Sequence, residues 1–292
     1  PNASATSPKI AAKWSVTPEF AVRGSYTKSF RAPVLKQLYG AQEEGAINIT
    51  DQDLCDILGI VGVCDIAAFQ VNGSNPDLKP EKSKQFSLGI VVEPVRDMNL
   101  SVDYWNIRKT DLISDLTGKT ILENPARYAA YIKRDPADDY PTLILRKENQ
   151  GALKTSGIDV EAAWRGNATA AGRFSASFSG TYIIEYKRQF GKSEPFIDNA
   201  GRFLNDQTVQ RWRHRASVEW AQGPFNVVLG NTYYSSHTDD SYLPNTAPRK
   251  VGDYSLWDLS ASWKPSKALT LRAGVLNLLD KDPDRKSTRL NS

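Results

Sequence analysis

Reactive side chains are scarce in this sequence, which holds two histidines and two cysteines. One histidine stands in Ser235-Ser236-His237-Thr238-Asp239-Asp240. A histidine with an aspartate two positions on could act as a general base if a second carboxylate converged on it. Adjacency in one segment is not a triad, because the partners must meet in space. The same residues make an ordinary polar loop, so the expectation is no catalytic residue and no enzyme. His214 alternates with Trp212 and Ala216, which puts it on an apolar face. Two histidines this far apart assemble neither a zinc nor a di-iron site, so no metal or cofactor is expected.

Two other groups of residues could bind something. The segment 122–148 mixes Arg127, Tyr128, Tyr131, Lys133, Arg134, Tyr140 and Arg146. Aromatic rings beside cations suit an anionic chelate through cation–π and charge contacts, and Arg127, Tyr128, Tyr131, Arg134 and Tyr140 are the ligand-binding candidates. The competing reading is a solvated loop that keeps a surface polar. Cys55 and Cys64 are the only thiols and lie nine positions apart. In an oxidising compartment they form a plausible disulfide, against the alternative of two small unpaired hydrophobes.

The elements that carry these residues follow from periodicity. No apolar run approaches the roughly 18 residues of a membrane-spanning helix, whereas period-two alternation recurs along the whole chain. Phe174, Ala176, Phe178, Gly180, Tyr182 and Ile184 alternate with Arg173, Ser175, Ser177, Ser179, Thr181 and Glu185, Ile183 being the exception. Trp212, Ala216, Val218 and Trp220 likewise oppose Arg211, Arg213, Arg215, Ser217 and Glu219. Strands are expected at 9–16, 20–30, 80–93, 98–109, 152–165, 172–186, 208–221, 224–237, 253–264 and 268–278. Short turns alternate strictly with long links at about 31–79, 110–151, 187–207 and 238–252. Structureless loops of that length do not suit a compact soluble domain. They suit a membrane barrel with short periplasmic turns and long extracellular loops. Trp14, Trp164, Trp220 and Trp263 fall just before short turns, and Phe20, Phe174 and Phe225 just after them. Such rings would form an interfacial belt, with Trp105, Trp212 and Trp257 candidates for the opposite one. No basic stripe with interleaved aromatics marks a nucleic-acid partner. The expected fold is all-β, a transmembrane antiparallel up-and-down β-barrel in contact with outer-membrane lipid.

Particular motifs add a resemblance to a known family. Ser29-Phe30-Arg31-Ala32-Pro33 with Leu38-Tyr39-Gly40 resembles the strand-to-loop segment of TonB-dependent outer-membrane receptors. Asn75-Pro76-Asp77-Leu78-Lys79-Pro80-Glu81 is similar to the family's Asn-Pro-x-Leu-Lys-Pro-Glu motif. Val102 to Arg108, Ser156 to Glu161 and Gly274 to Pro283 fit the family in the same order. The motif residues are thus Phe30, Arg31, Pro33, Asn75, Pro76, Leu78, Lys79, Pro80 and Glu81. Asn-Pro and Lys-Pro hold the preceding residues extended, ending a loop and launching a strand.

The resemblance implies a barrel of about 22 strands with a plugged lumen, of which ten are present here as an open fragment. It implies import of a scarce nutrient, an iron–siderophore complex, cobalamin or another organic ligand, driven by the TonB complex. The partners are then an extracellular small molecule and, through a plug domain absent from this sequence, the TonB complex, in the bacterial outer membrane. Residues 1–283 read as the partial C-terminal barrel domain. Residues 284–292 break the alternation and read as a non-native tail. Two rivals remain: a complete small barrel such as a rim protease, and a passive porin.

Overall fold

The computed structural model describes residues 6–49, 55–56, 64, 66–115, 118–122, 125–126, 128–134, 140–192, 194–204, 207–239 and 248–282. Ten strands build one antiparallel wall: β1 (Lys9–Thr17), β2 (Phe20–Arg31), β3 (Glu81–Val92), β4 (Met98–Asp115) and β5 (Thr142–Arg165). It continues through β6 (Arg173–Gln189), β7 (Trp212–Gln222), β8 (Phe225–Tyr234), β9 (Tyr254–Trp263) and β10 (Leu271–Val275). Their order in space is their order in the chain, so the fold is the expected up-and-down meander, with β1 and β10 as its open edges.

The pairing register puts the alternating residues of every strand in phase. Trp14 faces Val22, Ile90 faces Val102, Val160 faces Gly180, Val218 faces Leu229 and Leu259 faces Val275. A one-residue slip would move a whole apolar set to the other side. The face so formed is continuous and leaves large groups bare, Ile10, Leu88, Val218 and Val275 among them. An apolar surface of this extent is a membrane-facing surface. Trp14, Trp164, Trp220 and Trp263 share this face beside the short turns. Phe225 stacks on Trp263 at 6.3 Å, and Trp220 Nε1 donates to Ala171 O at 2.8 Å.

The opposite, lumen-type face is polar. Arg23 on β2 reaches over β3 to form a paired hydrogen bond and ion pair with Asp103 on β4. It can cross because Gly89 lies between them, where an added Cβ would collide with the Asp103 carboxylate. Thr181 extends the row by donating to Asp159 at 2.8 Å. Trp105 belongs to this face too, two residues from Asp103, with its ring over Gly157. That corrects its expected place in an outer belt: strand parity, not height along the strand, decides which medium a ring meets.

The long links are not structureless. β4 and β5 run beyond their expected ends, past register shifts between Lys109 and Ile113, and project from the wall. Around them packs a module containing helix α1 (Leu35–Tyr39), a hairpin of Glu43–Ile49 with Ile66–Gly73, and helix α2 (Gly118–Leu122). The hairpin adds in parallel to the outer end of β5, Phe69–Gly73 against Thr142–Arg146. The module has its own core of Ile49, Cys55, Cys64, Ile66, Ala68, Ile121, Tyr128, Leu143 and Leu145. Cys55 and Cys64 are disulfide-bonded within it.

The proline-rich motif ties this module to the wall. Asn75 Nδ2 donates to Lys147 O at 2.9 Å, while its Oδ1 accepts from Asp77 N. Asn149 receives Lys79 N at 2.7 Å and donates back to Lys79 O and Asp111 O. Arg31 and Glu81, paired in register, form a bidentate ion pair, and Glu81 also accepts Ile113 N. Four strands are thereby fastened at one level. The proposed tail lies outside the described residues.

Gly89→Val should lower wall stability by about 1–3 kcal/mol through overpacking, seen as a lower temperature of heat-modifiable migration. The loss should shrink in an Asp103→Ala background, where the clashing carboxylate is gone. An equal loss in both backgrounds would contradict the crossing geometry.

Candidate functional site

At the long-link end, four three-residue segments form a second small sheet. Arg202–Leu204 lies between Gln207–Val209, to which it is antiparallel, and His237–Asp239, to which it is parallel; Arg249–Val251 completes the far edge. This joins the link after β6 to the link after β8. Alternation again divides the residues: Phe203, His237, Asp239 and Val251 take one side, and Arg202, Thr238 and Lys250 the other.

The first side encloses a cavity of about 590 Å³. Its walls include Phe203, Tyr234, His237, Asp239 and Tyr254. Tyr234 and Tyr254 face each other in register and share the side of the wall that carries Arg213, so the cavity opens toward the lumen. Tyr254 OH donates to Lys281 O at 3.1 Å, holding its ring upright. The arrangement offers aromatic faces with a few polar groups, the usual makeup of a small-molecule site.

Asp239 turns its carboxylate to Arg249 at 3.3 Å, and among the described residues the His237 ring makes no hydrogen bond. Ser235 Oγ accepts Trp212 N at 3.0 Å and so caps a strand end. Asp240 lies outside the described residues. Burial holds the His237 imidazole below its ordinary pKa, opposed by the nearby Asp239 charge. Among the described residues no group of three or more His, Cys, Asp or Glu is placed to hold a metal.

The tyrosine and arginine cluster is divided between two roles. Tyr128 is buried in the module core, its hydroxyl 3.4 Å from Gln150 Oε1 and its ring edge-on to Tyr131 at 5.9 Å. Tyr131 donates to Glu148 and accepts from Arg146 Nη2 at 2.9 Å, while the Arg146 guanidinium lies 5.1 Å over its ring. Burial, then the Glu148 contact, raises the Tyr131 pKa. The cation–π chemistry expected toward a ligand is thus made within the chain itself. Tyr140 is exposed and meets Phe69 edge-to-face at 6.4 Å. Arg134 is exposed on the same module, and Arg127 lies outside the described residues. The sequence reading missed Phe203, Tyr234 and Tyr254 as cavity walls. Alternation placed the two tyrosines within strands, but nothing local says that they pair.

A wall with one lipid-type face, one charged face and a cavity at its long-link rim is that of a membrane β-barrel. The sequence matches the family described as TonB dependent receptor-like, beta-barrel, over residues 1–278, and the chain belongs to that family, whose members lie in the bacterial outer membrane. Solved structures agree on the fold. A mutant ferric enterobactin receptor of Pseudomonas aeruginosa in complex with enterobactin is 18% identical with a TM-score of 0.66, the match covering 94% of this chain and 35% of that one. The siderophore receptor PirA of Acinetobacter baumannii is 18% identical with a TM-score of 0.64, covering 94% and 37%. The FrpB iron transporter of Neisseria meningitidis is 14% identical with a TM-score of 0.56, covering 94% and 35%. The chain therefore spans about a third of the length of the receptors it matches.

Two outcomes follow from this geometry. His237 has a folded pKa below its unfolded value, so the unfolded state binds the proton more readily. Its contribution to rim stability is full above the unfolded value of about 6.5 and is lost as pH falls through the lowered folded value. Amide protection in 202–204 and 237–239, measured against the intrinsic exchange rate at each pH, should fall on acidification in the wild type, and less so in His237→Asn; identical profiles would remove His237 from this role. Replacing Cys55 and Cys64 with serine should cost the module about 2–3 kcal/mol. Proteolysis should then cut within 43–73 and spare the wall strands.

Proposed function

We propose that this chain belongs to a receptor that captures a scarce nutrient outside the cell and imports it with energy from the TonB complex. The observation that carries this reading is the aromatic rim cavity opening onto the charged side of a membrane wall. An iron–siderophore complex is the favoured ligand, ahead of cobalamin or another organic molecule. The support is that similar structures are receptors named for ferric enterobactin and siderophores. Tyr234 and Tyr254 would present their rings to the ligand, and Arg134 and Tyr140 on the outer module would make earlier contacts. Coupling to the TonB complex would run through a plug domain seated against the row of Arg23, Asp103 and Asp159. Further strands would close the wall between β1 and β10, since an open edge in lipid leaves backbone groups unpaired at several kcal/mol each.

The reading is tested in cells producing the protein, with radiolabelled iron on a panel of siderophores, and labelled cobalamin as a separate arm. Replacing Tyr234 and Tyr254 with alanine should weaken binding of the accepted ligand about tenfold, or about 1.4 kcal/mol. Removing the TonB complex should abolish uptake but leave surface binding. Binding unchanged in the tyrosine variant would move the site elsewhere, and uptake independent of TonB would favour passive diffusion.

A further inference from the structure

The aromatic rim cavity is made of rings and uncharged polar groups. Phe203, Thr208, Gln210, Tyr234, His237 and Tyr254 are partly buried walls of it. Among the described residues, Asp239 is the only ionised wall that is not exposed, and its carboxylate is paired with Arg249 at 3.3 Å. The remaining charged walls, Asp253, Lys281 and Asp282, are exposed to solvent. No described lining residue is an arginine: Arg249 and Arg213, the register partner of Tyr234, both stand outside the walls. Carboxylates therefore outnumber cations around this space.

Its neutral groups are open to a ligand. The side chains of Thr208, Gln210, Tyr234 and His237 make no hydrogen bond within the chain. Burial holds the His237 imidazole below its ordinary pKa, so near neutral pH the ring adds one donor and one acceptor but no cation. Such walls satisfy carbonyl and hydroxyl oxygens well. They satisfy a strongly ionised ligand poorly, because a charge taken from water needs an opposite charge or a dense set of donors in return. The distinction separates two kinds of ferric chelate. Three dianionic catecholates on ferric iron leave a trianion, whereas three monoanionic hydroxamates balance the metal. A trianion here would meet Asp239, Asp253 and Asp282 against Lys281.

We propose that the rim cavity takes a ferric chelate with no net negative charge, of the trihydroxamate kind. Its alkyl arms lie on the rings of Phe203, Tyr234 and Tyr254, and its oxygens accept from Gln210 and His237. The cavity, at about 590 Å³, is within the range that takes a small molecule. This inference rests on the proposal that the chain belongs to a nutrient receptor, and it narrows the class of nutrient.

The test uses cells producing the protein together with the TonB complex, and one radiolabelled ferric trihydroxamate in three forms: with a free terminal amine, N-acetylated and N-succinylated. The iron core stays the same while the net charge steps from positive through neutral to negative. A ferric tricatecholate is the fourth probe. The amine and acetylated forms should bind about tenfold more tightly than the succinylated form, and the tricatecholate more weakly still. Gln210→Lys, which puts a cation among the walls, should bring the succinylated form level with the acetylated one. Retained heat-modifiable migration shows that the variant is folded. A succinylated or tricatecholate probe bound as tightly as the acetylated one overturns the inference and leaves the receptor reading standing. So does an unchanged order of affinities in the folded variant, or binding of labelled cobalamin with no iron chelate bound. Binding of no probe at all, or uptake independent of TonB, overturns the receptor reading and the inference with it.

Discussion

Where a chain crosses lipid, no backbone amide or carbonyl can be left to water, so every strand must find its partner along its full length. Between the open edges of this wall that requirement is met by adjacent strands in sequence, each pairing with the next. Once the ladder is fixed, side chains have no further choice of face. Trp14 with Val22 and Leu259 with Val275 are on the lipid side because the register leaves them nowhere else. The charged residues take the other side for the same reason, and there Arg23 can pair with Asp103 only because Gly89 leaves the path open.

Beyond the membrane the constraint relaxes, and the chain uses it differently. Extended ends of β4 and β5 act as a post on which an independent small core assembles. The Asn75 to Glu81 segment fastens that post to its neighbours through side chain to backbone bonds, so the module cannot swing freely on its links. A disulfide within the core serves the same end. Tyr128 and Tyr131 are part of this construction, which is why their rings and hydroxyls are already engaged.

The rim sheet shows how three-residue strands can separate two environments. Its alternate residues put Phe203 and Asp239 on one side and Arg202, Thr238 and Lys250 on the other, while His237 borders the cavities on both. Membership of the TonB-dependent receptor-like barrel family accounts for the wall.

Sequence alone determined the ten wall strands, their two faces, the alternation of short and long links and the aromatic rings beside the short turns. Each is a local property, because period-two patterning is written in consecutive residues and lipid enforces it. The strand-launching role of Asn75 to Pro80 was equally legible, since proline restricts the residue before it wherever it stands. Only the tertiary structure decided what the long links become. Segments such as Arg202–Leu204 and His237–Asp239 are too short to show a period, and they pair in parallel across more than thirty intervening positions. Trp105 and Tyr128 were misplaced or undecided for related reasons. A ring's surroundings depend on the neighbour that packs over it, and the Gly157 beneath Trp105 and the Gln150 beside Tyr128 arrive from distant strands.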